Sequence, residues 1–279
     1  MIVLASEDPR YPARLRDLAH PPDPLWVDGD VESLHASSVA IVGTRHMTGY
    51  GERVARELAG ACAAAGLVVV SGLAQGIDAS AHRGALDAHG RTVAVLGEGI
   101  DLFVATIRGR RRPLVPRIRV SGALVSEYAP SFCAKPWMFA KRNATIAALG
   151  RAVVVVEAGV TSGALITAED ARRIGRALFA VPGPLGSSAS VGTNALIASG
   201  IARALTSADD LVRACGGSPG RMPLVEVDVI VRALADGPLG IDELARRTRT
   251  PLPALTARVA ELLLRGAVES LSDGRLRRV

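Results

Sequence analysis

From Ser38 to Leu211 the chain alternates between short apolar runs and longer stretches of mixed polarity. The runs are "SVAIV", "LVVVS", "TVAVL", "GALVS", "AVVVVE" and "ALFAV". A strand with one wet face alternates apolar and polar positions, whereas these runs are apolar almost throughout. That is the pattern of a parallel sheet covered by helices on both faces. The intervening stretches predict helices over roughly 49–65, 76–89, 139–149, 163–174 and 192–199. The segment 103–121 is poorly periodic and predicts no element. Residues 1–37, with "HPPDPLW", read as an irregular lead-in.

The texture changes at "CGGSPGRMP" (215–223), a linker by composition. Beyond it, "LVEVDVIVRALADG", "GIDELARRTRT" and "PLPALTARVAELLLRG" predict three helices, the second with Asp242 near its N-terminal turn and the third apolar at Leu255, Val259, Leu262 and Leu263. "AVESLSDGRLRRV" places an Asp-Gly turn between two strand-like runs. Three helices and a hairpin predict a winged helix-turn-helix domain over 224–279, following a sheet domain over 38–214. The third helix of such a fold can enter a groove. Residues 221–279 hold ten arginines against eight acids. That is weakly basic for a duplex reader and fits a winged helix used for protein contacts slightly better.

Composition adds limits. At 279 residues, 49% hydrophobic and 22% charged, the chain reads as a soluble globular protein with room for one sizeable α/β domain and a small satellite. With only 3% aromatics, its core must be built from Ala, Val, Leu and Ile. No apolar run approaches the ~18 residues of a membrane helix, and "MIVLASEDPRYP" lacks a basic lead before an apolar stretch, so neither span nor signal peptide is predicted. Cys62, Cys133 and Cys215 form neither a disulfide framework nor a metal knuckle and suit a reducing cytoplasm. The net charge of +6 is matched by the six arginines of "ATIRGRRRPLVPRIRV" (105–120). That stretch is either a solvated loop or a polyanion contact. The chain has only two lysines, Lys135 and Lys141, both within "KPWMFAK".

The chemistry gathers in the glycine turns that follow four of the strands: "VAIVGTRHMTGYG", "VVSGLAQGIDAS", "VVVVEAGVTSGALIT" and "FAVPGPLG". Parallel sheets bind ligands beyond their strands' carboxyl ends, where glycine lets backbone N–H groups approach phosphate. Four such turns predict an anion-binding rim. Neither lysine follows a glycine, so no P-loop is present. Arg45 fills a position where a dinucleotide turn needs a small residue, and the second strand ends in Ser71 rather than an acid, which argues against NAD. No cofactor or metal is therefore expected. There is no GxSxG elbow, HExxH pair or close Cys–His pair, so no catalytic residue is assigned. His82 reads as a packed or capping histidine, and Glu157 as a residue that positions a loop or transfers a proton. In "KPWMFAKRNATIAALG", cations surround Trp137 and Phe139. Cations hold phosphates while rings stack on unpaired bases, although both rings could equally be core. With Arg45 on the same rim, the mixture fits single-stranded nucleic acid better than a mononucleotide.

Taken in order, "VAIVGTRHMTGYG", "VVSGLAQGIDASAHRGAL", "TVAVLGEGID", "SEYAP", "FAKRNATIAALGRAVVVVEAGVTSGALITAEDA" and "FAVPGPLGSSASVGTNALIASG" resemble the motif series of the DNA-processing protein A family, also called DprA or Smf. The match runs over about 38–212, "DPRYPARLRDL" is similar to the family's lead-in, and the C-terminal winged helix looks like the one many members carry. The resemblance implies an extended Rossmann-like domain in a non-enzymatic cytoplasmic protein. Such a protein binds single-stranded DNA entering during natural transformation, forms a homodimer and loads the RecA recombinase. It places the DNA pocket at Gly43, Thr44 and Arg45, at Ser71, Gly72, Gln75 and Gly76, and at Lys135, Phe139, Lys141, Arg142 and Asn143. Ser162, Gly163, Thr193 and Asn194 complete the rim, and His82 is structural. Two features depart from the family pattern. Glu98 stands in "GEGID", followed by the arginine-rich segment in place of a Tyr-Pro turn, and Ala140 replaces a usual proline. A carboxylate at position 98 would weaken phosphate binding. The arginines would either compensate or mark a lost surface.

Two other readings compete. A nucleotide phosphoribohydrolase of the lysine-decarboxylase-like type needs a PGGxGTxxE loop, whereas "VPGPLGSSASVGTNAL" has no glutamate. A winged-helix regulator with a nucleotide-sensing sheet would read duplex DNA, which the weakly basic tail disfavours.

Overall fold

The computed structural model describes residues 1–218, 229–234, 237–264, 267–271 and 273–278, in two compact units, Met1–Gly220 and Arg221–Val279. The larger unit runs β1 (Ile2–Leu4), β2 (Leu25–Gly29), β3 (Ser38–Val42), α1 (Gly49–Ala64), β4 (Val68–Ser71), α2 (Ile77–Asp87) and β5 (Thr92–Leu96). It continues with α3 (Ile100–Thr106), α4 (Leu114–Ser121), β6 (Ala123–Ser126), α5 (Pro136–Leu149) and β7 (Ala152–Val155). It closes with α6 (Ala164–Arg173), β8 (Ala177–Ala180), α7 (Val191–Ala198), β9 (Arg203–Ala204) and α8 (Ala208–Ala214).

These strands form one sheet in the order β1-β2-β6-β5-β4-β3-β7-β8-β9. Pairing is parallel from β6 to β9, and β1 and β2 add antiparallel at one edge. The apolar runs are explained by two-sided burial. Val42, Val70, Val95 and Val155 face α5 and α6 through Ile146, Leu149 and Ala168. Ile41, Val69 and Val154 meet α1 and α2 through Leu58, Ala59 and Ala81. The chain winds outward from β3 to β6, then returns to β7 on the other side of β3. That reversal opens a crevice at the carboxyl ends of β3 and β7, the usual ligand position in such sheets.

The structure departs from the sequence reading in two places. Residues 1–37 are not irregular: β2 pairs with β6, and Leu4, Tyr11, Leu15, Leu25 and Val27 are buried. Their proline-rich surroundings hide a short strand whose two-residue alternation, buried at Leu25 and Val27, belongs to a sheet margin. The unassigned segment 103–121 carries the end of α3 and all of α4, which buries only Leu114, Val115 and Ile118 and keeps its arginines outside.

The smaller unit holds α9 (Val229–Ala233), α10 (Ile241–Thr248), α11 (Leu252–Leu264) and the antiparallel pair β10 (Val268–Ser270) and β11 (Leu276–Arg278). Ile230, Leu234, Leu244, Leu255, Val259, Leu262, Val268 and Leu276 make its core. This is the winged-helix arrangement expected. The start and end of the first predicted helix, and residues 219–223 of the predicted linker, lie outside the described residues.

Candidate nucleic-acid interface

The crevice holds a cavity of about 420 Å³. It is lined by Gly43, Thr44 and Arg45 after β3, by Ala74 and Asp78 beside α2, by Phe139, Arg142 and Asn143 on α5, and by Gly159, Thr161, Ser162 and Gly163 after β7, among others. The structure thus brings together three of the four glycine turns.

The first two turns are zipped together. The Ile77 amide donates to the Thr44 carbonyl at 3.2 Å. Gly76 has φ +87°, and a Cβ there would lie 2.3 Å from the same carbonyl oxygen. Only glycine fits that approach. Glu157 sits beneath the first turn, 2% exposed. Its carboxylate accepts from the Thr48 amide at 2.9 Å and the Thr48 hydroxyl at 2.5 Å, fixing the start of α1. Of the two roles left open for it, the geometry supports positioning.

Arg45 is exposed, with no hydrogen bond or ion pair from its guanidinium among the described residues. Phe139 is half-buried, its ring seated where a side chain at Gly97 would otherwise stand. Asn143 ties α5 to the third turn by donating from Nδ2 to the Gly163 carbonyl at 3.2 Å. The Ser162–Gly163 turn leads into α6, whose dipole favours negative charge at that end.

Arg142 behaves differently from its neighbours. It is only 5% exposed. Its Nη1 donates to the Gly72 carbonyl at 2.8 Å and to the Val95 carbonyl. Asp78, also buried, accepts from the Gly72 and Ala74 amides at 3.1 and 3.4 Å. Burial pushes the Asp78 carboxyl above its ordinary value, while Arg142 and those amides oppose the shift. The two charges brace the start of the 72–76 loop, Arg142 through the Gly72 carbonyl and Asp78 through the Gly72 and Ala74 amides. Asp78 escaped the sequence reading; a carboxylate in the first turn of a helix that follows a glycine loop was the available signal.

The other expected residues are more scattered. Ser71 is buried, its hydroxyl bonded to the Ile41 carbonyl at 2.7 Å, while Gln75 is exposed. Lys135 is exposed at the start of α5. Lys141 pairs at 3.1 Å with Glu127, whose side chain is 3% exposed. Thr193 is buried and donates to the Ser190 carbonyl, and Asn194 clamps Gly183 through both its amide and its carbonyl, at 3.1 and 3.0 Å. Neither Thr193 nor Asn194 lines the cavity. Trp137 is not a core residue: at 59% exposure it projects from the first turn of α5.

His82, expected to be packed, is fully buried, with Nδ1 2.7 Å from the Thr92 hydroxyl. That hydroxyl donates to the Val69 carbonyl, so Nδ1 carries the proton and donates to Thr92. Burial holds the imidazole pKa down, from 6.5 to about 3. The folded state therefore refuses a proton that the unfolded chain accepts. The stability involved is complete above pH 6.5 and lost as pH falls toward 3, at up to about 1.4 kcal/mol per unit. Urea midpoints measured across this range should fall with acid in the wild type, and less steeply in His82→Gln.

Residues 2–216 match the family model for DNA recombination-mediator protein A, and residues 226–274 match the DprA winged helix domain. The chain belongs to the DNA recombination-mediator protein A family. It is 45% identical over 206 residues to the DNA processing protein DprA of Mycobacterium tuberculosis, covering 73% of this chain and 52% of that one, so it spans about half the length of that relative. Protein Smf of Escherichia coli is 33% identical over 294 residues, covering 99% of this chain and 78% of the relative. Among solved structures, DNA processing protein A from Streptococcus pneumoniae aligns with a TM-score of 0.70 and 34% identity, over 76% of this chain and 73% of that one. The Helicobacter pylori protein, described for its single-stranded DNA binding mode, aligns at 0.65 and 30%, over 72% and 91%. Among the described residues no helix is long and apolar enough to cross a membrane, and no cluster of three or more His, Cys, Asp or Glu is placed to hold a metal.

Proposed function

We propose that this chain binds single-stranded DNA in the crevice between β3 and β7, without catalysing a reaction, and delivers the strand to a RecA-type recombinase during DNA uptake in the cytoplasm. It acts as a homodimer, with 38–214 as the DNA-binding domain and 224–279 as a winged helix serving protein contacts. The observation that carries this reading is the cavity itself: Arg45, unpaired among the described residues, a half-buried Phe139 ring and glycine turns meet on one rim. Backbone amides and a guanidinium suit phosphate, and an aromatic ring suits an unpaired base. The cavity's one acid among the described residues, Asp78, is held by two amides beside Arg142, which favours binding over acid–base chemistry.

Within the pocket, Gly43, Thr44, Ser162 and Gly163 offer backbone, and Arg45 offers charge. Arg142 and Asp78 shape the 72–76 loop rather than touch the strand. Lys141 contributes less than Arg45 because Glu127 already neutralises it. Arg45→Ala should therefore weaken binding to labelled oligo-dT about tenfold and flatten the salt slope by about 0.7, the value of one single-strand phosphate contact. Lys141→Ala should have a smaller effect. Anisotropy titrations over a salt series check both, and wild-type binding by the two variants would refute the pocket.

A further inference from the structure

We propose that Arg111 forms with Arg45 a second phosphate seat, which carries the bound strand out of the cavity across the 72–76 loop. This rests on the reading of the cavity as a single-strand site and extends its footprint toward the arginine-rich segment.

That segment is docked rather than solvated. The Arg111 guanidinium is half-buried and donates from Nη1 to the Leu73 carbonyl at 3.1 Å. Arg83 on α2 donates to the Arg110 carbonyl at 3.4 Å, holding the turn from the other side. Elsewhere in the segment, Arg117 pairs with Asp87 at 3.0 Å, Arg119 pairs with Asp28, Arg108 turns back to the Ala105 and Ile107 carbonyls, and Arg110 and Arg112 are exposed. Among the described residues, Arg111 is the arginine of this segment whose side chain is bonded to the loop next to the cavity.

Once there, its pKa is lowered by burial and, next, by the like charge of Arg45, while Asp78 and Glu98 act in the opposite direction. Asp78 is engaged with its amides. Glu98, a half-buried carboxylate, makes no ion pair with Arg111 among the described residues. The 72–76 loop carries both segments, Arg111 on its Leu73 carbonyl and the Thr44–Arg45 backbone against its Gly76. Two guanidiniums so placed repel each other, and an anion between them turns that repulsion into attraction. A guanidinium has five N–H donors, and Arg111 spends one on Leu73, leaving the rest of its fork for phosphate. Glu98 is then the competing anion beside the seat.

The test measures oligo-dT binding by Arg111→Ala, Arg111→Gln and Glu98→Gln over a salt series, with Arg117→Ala as control and thermal midpoints for every variant. Both Arg111 variants should bind about 3- to 10-fold more weakly and lose about 0.7 from the salt slope, with Arg117→Ala unchanged. Glu98→Gln should bind about 2- to 3-fold more tightly. Glutamine can still donate to the Leu73 carbonyl, so weakened binding in Arg111→Ala alone would show that Arg111 only props the loop, overturning the inference. Wild-type affinity and slope in both Arg111 variants, with Arg45→Ala impaired, would overturn it while leaving the cavity reading intact. Failure of the wild type to bind the strand would overturn both.

Discussion

Asp78→Ala should destabilise the larger unit by about 2–4 kcal/mol, because two backbone amides of the 72–76 loop lose their acceptor. The variant leaves the Gly72 and Ala74 amides without their acceptor and removes one of the two carboxylates, Asp78 and Glu127, whose charge favours the buried Arg142 guanidinium. Equilibrium unfolding in urea would show the shift. A change below about 1 kcal/mol would mean that those amides find another acceptor when the carboxylate is gone. Because Asp78 and Arg142 brace the 72–76 loop, DNA affinity should fall alongside stability.

Gly76→Ala should be nearly as damaging. At φ +87° an alanine pays conformational strain of about 1–3 kcal/mol, and its Cβ would press on the Thr44 carbonyl. Relief requires the first two turns to separate, and those turns supply Arg45 and one wall of the cavity. Unfolding midpoints and oligo-dT affinity should drop together. A variant with intact stability and affinity would show that the turns need not touch.

The sheet was legible because burial on both faces leaves an unambiguous apolar mark on β3 to β8. What hid was marginal or short. β1 and β2 lie at an edge among prolines, and α4 buries three side chains amid Gly109, Pro113, Pro116 and arginines, so neither shows a clean period. At the site, the glycine turns and Arg45 could be read from residue type, because turn geometry demands glycine and exposure suits arginine. Arg142 could not. Its charge argued for solvent, and only the fold reveals the Gly72 and Val95 carbonyls, distant in the chain, that accept from it, with the Asp78 charge favouring its ionised form. Lys141 hid its partner in the same way, since nothing local to "FAKRN" points to Glu127.

The most direct test is anisotropy of labelled oligo-dT against a duplex of equal length, each titrated across a salt series. The account requires tighter binding to the single strand, with log affinity falling against log salt by about 0.7 for each phosphate engaged. Equal affinity for both forms, or no binding to either, would contradict it and leave the crevice to a small anionic ligand.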